Sequence, residues 1–222
     1  MVFITGTDTG VGKTLLTALL LHHLRQGGCH ALAMKPFCSG GRADVDFLHA
    51  VQDGELTHDE INPYFFSEPI APLAAARLHH RSIRLSEVLR RIRKLAGRCE
   101  CLLIEGIGGV MVPLGEGFFV LDLIPSLACQ TTVVAPNRLG TINHTLLTAG
   151  ALQDIGIKRL KVVLMASPET DPSTRFNRTN LGDLLAPTPV LLVPFLGRNL
   201  ALVDTLKATQ KKIKKTLARI LA

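Results

Sequence analysis

The stretch FITGTDTGVGKT, Phe3 to Thr14, constrains the fold more than any other part of the chain. Apolar residues run into a turn rich in glycine and threonine. The turn ends in Gly-Lys-Thr, and a helical pattern starts directly behind it. A strand, a tight turn and a helix in that order aim successive backbone N–H groups and the positive end of a helix dipole at one point. That concavity suits a polyphosphate: Lys13 would reach the terminal phosphates and the Thr14 hydroxyl would ligate Mg²⁺. The competing reading is a glycine-rich turn with an incidental Lys-Thr pair, and it leaves the ordered strand, loop and helix unexplained. Two details depart from the pattern G-x-x-x-x-G-K-[ST]. Thr7 stands where the first glycine would be, which works only if its backbone avoids the left-handed region. Asp8, an acid, sits inside a loop otherwise built for an anion.

Downstream, short β-rich runs recur: VFIT, HALAMK, CLLIE, TTVVA, LKVVLMA and PVLLVP. Helical patterns lie between them at 13–26, 85–97, 141–154 and 174–185, with a last one at 203–221. Near-continuous apolar strands joined by helices signal a parallel sheet covered on both faces. With 47% apolar residues and no linker or repeat, residues 1–222 are expected to form one α/β domain. The segment 37–80 breaks the rhythm, being rich in Pro and Gly, and reads as a long excursion above the sheet. In open α/β folds ligands bind outside the carboxyl ends of the strands, which makes such an excursion site material.

The net charge of +7 suits an anionic partner of some kind. Many of the cations fall in RLHHRSIRLSEVLRRIRKLAGR and LKATQKKIKKTLARILA, both with apolar residues at helical spacing, so solvated faces of amphipathic surface helices account for them. One Tyr and no Trp leave little for base stacking, and nucleic acid is not an expected partner. Five cysteines, an odd number without a C-x-x-C pair, indicate neither a disulfide framework nor a zinc site. Asp122 interrupts the longest apolar run, GFFVLDLIPSLA, and MVFITGTD has no basic or apolar leader ahead of the first strand, so neither a membrane span nor a secretory signal is expected. The expectation is a cytoplasmic protein.

Four further stretches carry chemistry. In MKPFCSGG, Lys35 ends an apolar run before Pro36. A surface ion pair is the usual fate of a lysine, but this placement argues for a cation held in the crevice. In ADVDFLHA, Asp44 and Asp46 precede a short helix, and either would serve as an N-cap. In LLIEGIGGVMVPL, Glu105 sits at the tip of a buried strand, where a carboxylate is costly unless paired or bound to metal; beside a phosphate loop, Mg²⁺ is the fitting partner. NRLGTINHTLLTAG follows TTVVAP and opens a helix at Thr141 or Ile142, with Asn143 either exposed or functional.

Taken in order and spacing, GTDTGVGKT, KPFCSG, EGIGGVMVPL and RLGTINHTLLTA, with NPYFF and EPIAP between them, resemble the dethiobiotin synthetases. The resemblance spans residues 2 to about 155 well and continues more loosely to about 197; the Gly6-to-Gly12 spacing is that family's own. It implies a P-loop NTPase-like α/β fold with a mostly parallel sheet of about seven strands, and a homodimer with sites at the interface. The implied reaction joins CO₂ to diaminopelargonate using ATP and Mg²⁺. A carbamate on one amine is phosphorylated, and the second amine closes the ring. Phosphoryl transfer needs positioning and charge neutralisation more than covalent catalysis. By the resemblance Lys13 and Lys35 flank the transferring phosphate with Thr9 adding a hydroxyl. Gly10, Val11, Gly12, Lys13, Thr14, Glu105 and Gly108 contact the nucleotide, and Thr14, Asp46 and Glu105 hold Mg²⁺. Ser39 meets the substrate, and Leu139, Gly140 and Asn143, lent by the partner subunit, take its distant carboxylate.

The chain departs from the family's pattern in three places. Gly10 stands where some relatives carry Glu. Where relatives read adenine with an Asn after the KVVLMA strand, Ala166, Ser167 and Pro168 follow here, so other nucleoside triphosphates are expected to substitute for ATP. Arg178 or a neighbour falls where some relatives place a Tyr against the substrate carboxylate, and Arg suits that task. Rival readings are a ParA/MinD-like switch ATPase, a cobyrinate-type amidoligase and a nucleotide-binding paralogue without synthetase activity. The first carries a second loop lysine where Asp8 stands. It would use KKIKKTLARILA as a membrane or DNA handle. The second needs a glutaminase domain for which 222 residues leave no room.

Overall fold

The computed structural model describes residues 1–197 and 203–222. Strand β1 (Val2–Gly6) leads into α1 (Lys13–Gln26), β2 (Ala31–Met34) and the short β3 (Phe37–Ser39). Then come α2 (Ala43–Val51), α3 (His58–Ile61), β4 (Tyr64–Phe66), α4 (Pro72–Leu78), α5 (Leu85–Ala96) and the long β5 (Cys101–Gly109). A small hairpin, β6 (Pro113–Gly115) with β7 (Phe118–Phe119), precedes α6 (Val120–Leu123) and β8 (Gln130–Pro136). The remaining elements are α7 (Thr141–Asp154), β9 (Leu160–Met165), α8 (Asn177–Leu184), β10 (Val190–Val193) and α9 (Val203–Leu221).

The six apolar runs of the sequence are the strands of one parallel 6-stranded sheet in the order β10-β9-β8-β1-β5-β2. The family resemblance implies about seven strands, but among the described residues β3 and β4 pair only with each other, in a separate 2-stranded sheet. β1 is central and wholly buried, with Phe3 and Ile4 at 0% exposure, as a strand covered on both faces requires. Its neighbours β5 and β8 lie on opposite sides, so the crevice for a ligand opens at its carboxyl end. Register sets what faces that crevice. Glu105 lies opposite Ile4, and Met34 opposite Ile104, which leaves Lys35 next in line beside Glu105.

Segment 37–80 holds more regular structure than a long excursion would, since it contains β3, α2, α3, β4 and α4. Its elements are short, so local periodicity gives them little signature. The pattern at 174–185 divides into a 3₁₀ turn, Pro172–Arg175, and α8, because the Asp171 carboxylate accepts from Ser173 N–H and closes a separate turn. Helix α9 buries Leu206, Ile213, Leu217 and Ile220 and packs against α1, while Lys212, Lys214 and Lys215 face solvent. Gln130 and Lys161 donate to the Ile220 carbonyl, at 2.5 and 3.0 Å, and satisfy the end of the helix. No helix among the described residues is long and apolar enough to cross a membrane.

Candidate active site

The loop between β1 and α1 wraps a cavity of about 480 Å³ lined by Thr9, Lys13, Thr14, Lys35, Asp44 and Glu105 among others. Thr7 does not adopt a positive φ and continues β1, donating its N–H to the Val134 carbonyl at 3.0 Å, so threonine serves at that position. Two glycines are required by geometry. Gly12 has φ 99° at the start of α1, and a Cβ on Gly6 would meet the Asp8 carbonyl at 2.9 Å and Lys13 Nζ at 3.0 Å. Asp8 is exposed, and its Oδ1 accepts from Thr9 N–H at 2.7 Å.

Lys13 is 7% exposed and folds back to donate to the Asp8 carbonyl at 2.8 Å. Burial is the main reason its pKa falls from 10.5 to about 8; Glu105 opposes the fall and Lys35 adds to it. Lys35 behaves differently. Burial works against its charge too, but it donates to Glu105 Oε1 at 2.9 Å and to Asp44 Oδ2, and these two carboxylates hold its ammonium above the ordinary lysine range. The site therefore pairs a firmly charged lysine with one near the edge of titration.

Glu105 is 0% exposed, and its Oε1 also accepts from Thr14 Oγ1 at 2.7 Å. Its Oε2 has no hydrogen-bond partner among the described residues. An orphaned carboxylate oxygen beside a hydroxyl and a second carboxylate is a hard-oxygen donor set that fits Mg²⁺. The second carboxylate is Asp44, not Asp46. Residues two apart on a helix point about 200° from one another, so only one of the pair faces the cavity. Asp46 instead meets His58 Nε2 at 3.0 Å and does not line the cavity. Neither acid caps α2; both lie in its first turn, where a carboxylate complements the helix dipole.

Ser39 ends β3 with its hydroxyl buried and without a partner among the described residues, and it lines the cavity, as does Gly108, with φ 56°. Cys38 lines it too, a feature that sequence reading passed over. Burial raises its pKa, and Sγ donates to the Gly41 carbonyl at 2.8 Å, so it stays a thiol. A second cavity of about 240 Å³ shares Gly10 and Gly12 with the first and adds Val11, Met165, Ala166, Ser167, Pro168 and Phe195. Among the described residues no side-chain amide lines it. Ser167 Oγ donates to the Glu169 carbonyl at 2.6 Å, and Ala166 N–H is committed to Val193.

Leu139, Gly140 and Asn143 line neither cavity of this chain. Gly140, with φ 90°, starts α7; Leu139 is 78% exposed, Asn143 is exposed, and Leu139 N–H donates to Asp171 Oδ2 at 3.0 Å. Arg178 sits on α8 in a separate groove with Arg175, Thr179 and Val190.

Fold and site together define a P-loop nucleotide-binding α/β protein. A family model described as an AAA domain matches residues 1–199. Solved structures share the architecture at low identity and show the fold alone. The Aquifex aeolicus MinD cell division protein superposes with a TM-score of 0.62 at 16% identity, covering 99% of this chain and 96% of that one. A ParA family ATPase from Chlorobium tepidum gives 0.60 at 15% identity, covering 99% and 98%. Sequence relatives are more specific. An ATP-dependent dethiobiotin synthetase BioD of Bacillus licheniformis is 41% identical over 167 residues, 73% of this chain and 71% of that protein. One from an Anaeromyxobacter species is 42% identical over 193 residues, 85% and 86% of the two. The chain belongs to the ATP-dependent dethiobiotin synthetase family.

Proposed function

We propose that this chain joins CO₂ to 7,8-diaminopelargonate at the expense of ATP, giving dethiobiotin, ADP and phosphate. The observation that carries the reading is the buried convergence of Lys13, Lys35, Thr14, Asp44 and Glu105 at the carboxyl ends of β1, β2 and β5, in a chain about two-fifths identical to named synthetases. One amine adds to CO₂ and releases a proton, leaving a carbamate. A carbamate oxygen attacks the γ-phosphorus, and the bond to the bridging oxygen breaks as ADP leaves. The second amine then attacks the carbonyl carbon, its C–O bond to phosphate breaks, and the cyclic urea closes.

Each residue has a task in this sequence. Lys13 leaves the Asp8 carbonyl for the β- and γ-phosphates, while backbone N–H groups from Gly10 to Thr14 cradle them and Thr9 adds a hydroxyl. Lys35, held charged, faces the carbamate and γ-phosphate oxygens, where charge builds in the transition state. Thr14, Glu105 and Asp44 would hold Mg²⁺, which neutralises phosphate charge. Ser39 orients the substrate. The nucleobase occupies the Met165–Ser167 cavity.

A homodimer completes the site. Leu139, Leu147, Phe176 and Leu184 are large apolar residues left more than 60% exposed, the kind of surface a second copy covers. Across it the partner's loop would offer Leu139, Gly140 and Asn143, and its Arg178, to the substrate carboxylate. Five free cysteines fit a cytoplasmic location. A switch-ATPase reading has less support, because the helix it would use as a handle spends its apolar face on α1. Supplying diaminopelargonate, ¹³C-bicarbonate, Mg²⁺ and ATP tests the proposal. Labelled dethiobiotin by mass spectrometry is the expected product, and ATP hydrolysis without it would overturn the reading.

A further inference from the structure

Pro36 and Pro63, on neighbouring segments behind the active site, leave a gap in the hydrogen bonding that holds Lys35. Lys35 N–H donates to the Ile61 carbonyl at 2.9 Å, and Tyr64 N–H donates to the Pro36 carbonyl at 3.0 Å. In a parallel ladder with the first of these bonds, the Lys35 carbonyl would accept from the N–H of residue 63. Residue 63 is a proline and has none. The side chain of Asn62 supplies the missing donor: Nδ2 reaches the Lys35 carbonyl at 2.9 Å and the Pro36 carbonyl at 3.3 Å. Asn62 is 1% exposed and lies immediately after α3, whose start is fixed by a reciprocal capping box between Thr57 and Glu60.

We propose that Asn62 is a positioning residue for Lys35: its amide fixes the carbonyls on both sides of Pro36 and so aims the ammonium at the reacting phosphate. The proposal rests on the assignment of Lys35 to phosphoryl transfer. Its physical content is separate, because Asn62 touches no residue of the phosphate loop by any hydrogen bond among the described residues. Without the amide, the buried Lys35 carbonyl loses its donor and the turn relaxes. The ammonium then drifts from the place where Glu105 and Asp44 hold it. Misplacement of a reacting group by about 1 Å costs on the order of a hundredfold in rate.

Asn62→Ala and the isosteric Asn62→Asp test this, each checked for fold by thermal melting. In Asn62→Ala, kcat for dethiobiotin formation should fall about ten- to a hundredfold while the KM for ATP stays within about twofold. Acetylation of Lys35 by an N-hydroxysuccinimide ester, read by peptide mass spectrometry, should accelerate at least several-fold, with Lys13 labelling unchanged. In Asn62→Asp, a neutral carboxylic acid can still donate to one carbonyl, whereas a buried carboxylate there faces two acceptors. Its kcat relative to wild type should therefore decline between about pH 6 and 9. Undiminished kcat in Asn62→Ala, a loss confined to KM, unchanged Lys35 labelling or a flat pH ratio would each overturn the proposal. A wild-type chain that makes no dethiobiotin defeats the functional reading instead, and the Lys35 labelling comparison still decides the role of Asn62.

Discussion

Replacing Lys13 by methionine should remove activity and make the protein more stable. The drop in the Lys13 pKa from 10.5 to about 8 corresponds to a penalty on the charged amine in the folded protein of about 3 kcal/mol, at ~1.4 kcal/mol per tenfold in proton affinity. Methionine keeps an unbranched chain one atom shorter and removes the charge. It also removes the donor to the Asp8 carbonyl, a loss of about 1 kcal/mol, and Asp8 is exposed, so water can replace it. A net gain of about 2 kcal/mol remains, or about 4–8 °C in Tm for a chain of this length. The pH dependence fixes the cause. Below about pH 8 the lysine is charged folded and unfolded, and the full penalty applies. Between about 8 and 10.5 the unfolded chain binds more protons than the folded one, so the wild type gains stability as pH rises and the gap closes. Calorimetry of both proteins at pH 7 and pH 10, alongside nucleotide-dependent turnover at pH 7, measures all of this. A methionine variant that melts lower than wild type at pH 7, or an advantage that does not shrink by pH 10, would show that burial of the Lys13 charge does not destabilise the fold.

Three other outcomes follow from the site. The cavity proposed for the nucleobase offers no side-chain amide among the described residues, and its Ser167 hydroxyl is already engaged, so CTP and GTP should support turnover within about tenfold of ATP in kcat/KM, or ~1.4 kcal/mol. Initial rates with four triphosphates at equal Mg²⁺ check this, and a preference of about a thousandfold would mean that backbone groups, or side chains outside the described residues, read the base. Asp44→Asn should raise the Mg²⁺ concentration needed for half-maximal rate by at least about tenfold, whereas Asp46→Asn should titrate like wild type; a reversed pair of metal titrations would restore Asp46 to the site. Lys35→Ala should lower kcat far more than nucleotide affinity, and intact turnover at saturation with weakened binding would reassign Lys35.

The fold was legible wherever a physical rule acts locally. Each apolar run became a strand because strands buried on both faces need no alternation. Helices α1 and α7 begin at Lys13 and Thr141, where Gly12 and Gly140 supply the left-handed backbone that starts them. What escaped depends on contacts distant in sequence. Lys35 and Glu105 meet only through the β2–β5 register, and residues 37–80 fold into elements too short for a periodic signal. Asp44 and Asp46 illustrate the limit most clearly. Both suit a helix start, and nothing in ADVDFLHA says which one faces Lys35 until α2 is packed against α1 and α3. Asn62 was invisible for the same reason, although two prolines flanking a buried turn do signal a missing donor that some side chain must supply.

In the proposed reaction this pocket transfers a phosphoryl group onto a carbamate oxygen before the ring closes. Turnover with C¹⁸O₂ in place of bicarbonate, quenched before isotope exchange with water, tests it directly. Because the oxygen that attacks phosphorus leaves with it, inorganic phosphate should carry one ¹⁸O for each dethiobiotin formed. Dethiobiotin accompanied by phosphate without ¹⁸O would contradict the account.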